Sequence, residues 1–231
     1  MSDERVKSDA VEPRRRAYHS PAREQRAQQT RARILAAARQ LFLADGYAPT
    51  TMSSVAREAG IAEKTLYLAF PSKASLLEGV IQTTIGGAQE RVPLATQHEL
   101  VMQSPPQEML TRFAEGNAGV MERTARVLAL AEAAAVIDPE LAVFRDRGHQ
   151  AMRARFGGIA AALKARDALA TGITQEHAAA TIYAVANDSV YLRLVDGYGW
   201  TTEDYARWLG RLLTTALTDQ QSDKPRPPRP T

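Results

Sequence analysis

The chain has 231 residues, a formal net charge of +3 and 45% hydrophobic residues, enough apolar content to bury a core in one or two domains. It has no cysteine, which excludes a disulfide scaffold, a thiolate metal site and a thiol nucleophile. Alanine supplies 41 residues; it is the best helix former and adds little to a sheet, so the composition points to an all-α protein. Charge is unevenly spread. Residues 1–73 carry 13 Lys and Arg against 8 Asp and Glu, a net +5, and the remainder carries −2. A basic excess at one end is expected to meet an anionic partner.

Residues 1–22 contain Arg14-Arg15-Arg16, Pro13 and Pro21 without an apolar period. They read as a disordered basic arm, either a solvated tail or an arm that adds phosphate contacts. With no apolar stretch near the start, no secretory signal is read there, and the expected location is the cytoplasm. A first helix is expected over Arg23–Asp45, because Ile34, Leu35, Ala38, Leu41 and Phe42 share one face. Gly46 follows its end. Thr50 or Thr51 caps a short second helix reaching Ala59. A third spans Glu63–Phe70, Pro71 stops it, and Ser72 caps a fourth from Lys73 to about Arg91.

Further along, Ser104-Pro105-Pro106-Gln107 reads as a capping box with proline at the first helical position, opening a fifth helix. Gly116 and Gly119 are expected to divide it from a sixth ending near Ile137. The apolar stretch Val127–Ile137 is 11 residues long and contains Glu132, short of the roughly 20 a membrane span needs. Asp138-Pro139 opens a seventh helix, with Gly157-Gly158 as its candidate interruption. Thr174 opens an eighth, to about Asp196, and Thr201 a ninth, striped by Tyr205, Trp208, Leu209, Leu212, Leu213, Ala216 and Leu217. Residues 220–231 form a Pro/Arg tail. No alternating run is bounded by hairpin turns, so no sheet is expected among these nine or so helices.

The informative stretch is Thr50–Leu77. Two short helices meet through Ala59-Gly60-Ile61, where glycine accepts a positive φ without a Cβ clash. That is helix-turn-helix geometry, in which the second helix enters the major groove of double-stranded DNA. Val55, Ala56, Ala59, Ile61, Leu66 and Phe70 are spaced to form a shared core with the first helix. The remaining residues suit DNA. Thr51 offers a hydroxyl and free N–H groups at a helix N-terminus to a phosphate. Lys64 can donate to guanine, Thr65 can pack on a thymine methyl, and Glu63 can accept from cytosine N4 or repel phosphate. Tyr67 can bond a phosphate. Lys73 opposes its helix dipole, a cost that makes sense if it faces a phosphate.

On Thr51, Val55, Ala56, Ala59, Gly60, Ile61, Thr65, Leu66, Tyr67, Phe70, Ser72, Lys73 and Leu76, the segment resembles the DNA-binding domain of the tetracycline-repressor (TetR) family. The helix from Arg31 to Gly46-Tyr47 and the later Gly199–Tyr205 are similar to that family as well. Ala62 departs from it, since a serine often caps there, as do Glu63, Lys64 and Ala69, which bear on operator sequence. Composition gives a disordered arm over 1–22 and a tail over 220–231, and the resemblance implies a DNA-binding domain over 23–85 and a ligand-binding and dimerisation domain over 86–219. It implies a homodimer formed through the last two helices, bound to a palindromic operator and released by a small-molecule effector of unknown identity.

Effector-pocket candidates at helical spacing are Met102, Met109, Phe113, His149, Met152, Phe156, Tyr183 and Asn187. Asn187 can orient a ligand, fix dimer register or lie exposed. His19, His98, His149 and His177 form no HExxH pair, and no phosphate loop or nucleophile elbow occurs. No metal, no cofactor, no membrane partner and no enzymatic activity are therefore expected. The competing reading is a helical small-molecule-binding protein or enzyme that uses the three-helix module for contacts other than DNA.

Overall fold

The computed structural model describes residues 21–86 and 94–219. The basic arm up to residue 20, the end of the fourth helix beyond residue 86 and the C-terminal tail lie outside the described residues. Among those described are ten helices and no strand: α1 (Pro21–Asp45), α2 (Met52–Glu58), α3 (Glu63–Ala69), α4 (Lys73–Gly86), α5 (Leu94–Gln103), α6 (Pro106–Ala134), α7 (Pro139–Lys164), α8 (Gln175–Val185), α9 (Asp188–Tyr198) and α10 (Thr202–Leu217).

Two cores organise these helices. The first joins Ile34, Ala38 and Phe42 of α1, Val55 and Ala56 of α2, Leu66 of α3, Phe70, and Leu76, Leu77, Val80 and Ile81 of α4. It also takes in Val127, Ala131 and Ala134 from the far end of α6, with Ala135 and Leu141. The second core packs the rest of α6 against α7, α8, α9 and α10 through Met109, Phe113, Phe156, Ile159, Ile182, Tyr205, Leu209 and Leu213. Its polar centre is Asn117, which accepts from the Tyr205 hydroxyl at 3.1 Å and donates to the Ala186 carbonyl at 3.4 Å. A buried amide thus finds partners on both sides.

The helix boundaries differ from the sequence expectation in four places. Gly116 and Gly119 lie inside α6, a single helix of 29 residues. A glycine costs a helix interior about 1 kcal/mol, and burial of Met109, Leu110, Phe113, Ala114, Ala118, Val120 and Met121 along the same helix outweighs it. Gly157-Gly158 likewise leaves α7 unbroken. The capping box at Ser104 does not form. The N-cap of α6 is Pro105, and the Ser104 hydroxyl donates back to Leu100 O at 2.6 Å, ending α5, a helix the sequence reading lacked.

The expected eighth helix is two. Asn187 breaks it: its Oδ1 accepts from Val190 N at 3.0 Å, and its Nδ2 donates to Ala184 O at 2.9 Å and to Tyr183 O at 3.4 Å. One side chain therefore caps the start of α9 and the end of α8.

Candidate nucleic-acid interface and effector cavity

A seven-residue helix cannot stand alone in water, so α3 depends on what surrounds it. Gly60 turns the chain at φ +63°, and a Cβ there would come within 3.1 Å of the Arg33 guanidinium. That guanidinium donates to the Ala59 and Gly60 carbonyls, tying the turn to α1. Arg31 donates to Ala69 O at 3.3 Å and stacks 4.1 Å from the Phe70 ring, fixing the other end of α3. On the inner side Leu66 is fully buried. Gly79 lets α4 approach, since a Cβ there would meet the Phe70 ring at 2.7 Å. Thr51 caps α2 reciprocally with Ser54. Ala62 precedes α3 with no side-chain cap.

With Leu66 and Phe70 turned inward, Glu63, Lys64, Thr65, Tyr67 and Leu68 are all exposed on α3, and Thr51 is exposed at the start of α2. Leu68, outside the contact residues expected from the sequence, is 81% exposed. Its offset of two from Leu66 turns it away from the core.

Lys73 departs from the expectation that it faces a phosphate. Its ammonium donates to Tyr47 O at 2.9 Å, Thr50 O at 3.0 Å and Ala48 O at 3.2 Å, and it lies 4.3 Å from the centre of the Tyr47 ring. An ammonium has three donors, and all three close the loop between α1 and α2. Ser72 and Ser75 cap α4 reciprocally, as the sequence suggested for Ser72.

This module is tied to the start of α7. The Tyr47 hydroxyl donates to Asp138 Oδ2 at 2.6 Å, while Asp138 Oδ1 caps α7 by accepting from Glu140 N. The Ser72 hydroxyl donates to Glu140 Oε2 at 2.7 Å.

A cavity of about 540 Å³ opens between α6, α7, α8 and α9. His149, Met152, Phe156, Tyr183 and Asn187 line it, together with Glu132, Asp188 and Leu192, which the sequence reading did not select. Phe156 meets the Tyr183 ring edge-on at 6.4 Å, and His149 meets it at 6.3 Å. His149 Nε2 and Glu132 Oε1 are hydrogen-bonded at 2.7 Å. Met109 and Phe113 are instead core residues, and Met102 is half-buried away from the cavity.

Residues 34–80, from the middle of α1 into α4, match the family model described as bacterial regulatory proteins, tetR family. This segment is similar to the N-terminal domain of that family. No curated protein sequence matches the chain. Solved structures with the same fold include NalD of Pseudomonas aeruginosa, the secondary repressor of the MexAB-OprM multidrug efflux pump. NalD is 21% identical, with a TM-score of 0.66, over 84% of this chain and 98% of its own. A transcriptional regulator from Rhodococcus sp. Rha1 is 20% identical, with a TM-score of 0.61, over 80% and 95%. A regulator from Saccharomonospora viridis in complex with choline is 17% identical, with a TM-score of 0.67, over 84% and 100%. The chain thus shares its fold with these solved structures over 80–84% of its length, and none of its described helices is long and apolar enough to cross a membrane.

Proposed function

We propose that the protein is a dimeric transcriptional repressor that holds a palindromic operator and leaves it when a small molecule binds. The observation that carries this reading is the exposed row Glu63, Lys64, Thr65 and Tyr67 on a helix whose opposite side is locked into a core. Residues 23–85 take the DNA-binding role, with Thr51 at a phosphate and Lys64 and Thr65 at base edges. Residues 86–219 take the effector and dimerisation roles. Half-buried Val190, Leu194 and Val195 on α9, and Trp208 and Leu212 on α10, supply an apolar surface for the dimer. A dimer of this kind sets two recognition helices about 34–36 Å apart, one turn of DNA. It works in the cytoplasm, on the nucleoid.

The cavity between α6 and α9 is the effector site. A ligand there touches Ala129 and Glu132 on α6, next to Val127 and Ala131 of the first core. It also touches α7, whose first turn is bonded to Tyr47 and Ser72. A ligand that binds better to one spacing of the two modules shifts the population toward it. A choline complex of a similar fold supports the capacity for small molecules.

The test is binding to a palindrome from upstream of the protein's own gene. Tight binding that falls steeply with salt is expected. Equal affinity for random duplex at every salt concentration overturns the reading and favours a helical binding protein or enzyme without a DNA partner.

A further inference from the structure

The cavity joins apolar walls to two carboxylates, of which Glu132 is hydrogen-bonded to the neutral-or-cationic ring of His149 at 2.7 Å and Asp188 has no side-chain partner among the lining residues. Met152, Phe156, Tyr183 and Leu192 make the walls, and Glu132 and Asp188 bring two carboxylates, with no Lys or Arg among the lining residues. Arg153 packs 5.9 Å from the Tyr183 ring without lining the cavity. At the start of α9 Asn187 Oδ1 already accepts from Val190 N, and the Asp188 carboxylate stands in the first turn, where it opposes the approach of an anion.

Burial, and after it the field of Glu132, push the Asp188 carboxyl above its ordinary range, partly offset by His149. A neutral ligand would desolvate both carboxylates further without pairing them. A cation would pair them and also gain from the electron-rich ring faces. The volume, about 540 Å³, is that of a site for a small organic molecule.

We propose that the effector is an organic cation, an amine or quaternary ammonium on an apolar or aromatic body, with its charge beside Glu132 and Asp188 and its body against Phe156 and Tyr183. This rests on the reading of the cavity as the effector site.

The experiment is calorimetric titration of the full chain, without DNA, with benzyltrimethylammonium, neutral benzyl alcohol and anionic phenylacetate. The ammonium binds, and the other two bind at least about tenfold more weakly, a difference of roughly 1.4 kcal/mol. Glu132→Gln and Asp188→Asn each weaken the ammonium about tenfold. Glu108→Gln, on the exposed Glu108–Arg112 pair of α6, leaves it unchanged. Glu132→Lys reverses the order toward phenylacetate. Phenylacetate binding as tightly as the ammonium, both amide variants binding the ammonium like the parent, or no ammonium binding at millimolar concentration overturns the proposal. None of these results touches the operator assay, whose failure would be read on DNA alone.

Discussion

The Tyr47 hydroxyl and Asp138 Oδ2 meet at 2.6 Å across 91 residues of sequence, linking the loop after α1 to the first turn of α7. Burial first, and then this bond, push the phenol well above its ordinary range, so it stays a donor at every pH of interest. Tyr47→Phe removes the donor, and Asp138→Asn keeps a capping oxygen. Each single change is expected to cost about 1 kcal/mol in urea unfolding. The double variant should show a coupling of roughly 0.5–3 kcal/mol. Strict additivity would mean the two groups do not interact in solution.

Lys73 gives a prediction opposite to that for a phosphate contact. Lys73→Met leaves three carbonyls of the α1–α2 loop without their donor. A stability loss of about 1–3 kcal/mol is expected, and the slope of log affinity against log salt should not change. A slope shallower by about one unit would show that the ammonium reaches a phosphate after all.

Lys64 and Tyr67 divide the contact row by role. Lys64→Ala is expected to relax discrimination at one base position by roughly 1–3 kcal/mol. Tyr67→Phe should weaken all duplexes alike. Selection of bound fragments from a randomised palindrome distinguishes the two outcomes.

Gly79 is a close-approach position rather than a flexible one. A methyl group there would lie 2.7 Å from the Phe70 ring and 3.1 Å from Leu35. Phe70 is 2% exposed and has no room to retreat. Gly79→Ala should therefore destabilise by about 1–3 kcal/mol through overpacking, although alanine is the better helix former. A rise in melting temperature would show that α4 slides to accommodate it.

The first four helices were legible because each has a local signal: the Ile34–Phe42 stripe, the Thr51 cap, Gly60 at the turn, and Pro71 before Ser72. The inward and outward sides of α3 followed from the spacing of Leu66 and Phe70. Lys73 was not legible, since its partners are backbone carbonyls that any loop sequence could present. Gly116 and Gly119 misled because a glycine signals a break only where tertiary burial does not override it. In the sequence Asn187 can equally orient a ligand, fix dimer register or lie exposed. Its role at the break between α8 and α9 was missed because neither glycine nor proline marks the place, although Asn-Asp-Ser has the composition of a helix start. Of the cavity, the aromatic side was visible at helical spacing. The acidic side was not, although Glu132 stands alone in an otherwise apolar stretch.

The far end of α6 closes the first core with Val127, Ala131 and Ala134. A chain cut after residue 85 would leave the α1 and α4 side of that core without the α6 residues now clustered with it. The DNA-reading head is consequently not an interchangeable cartridge. To graft it onto another regulator body, the last two turns of α6 must travel with it. Substitutions at Val127 or Ala131 should register in operator affinity although both residues lie far along the chain from α3.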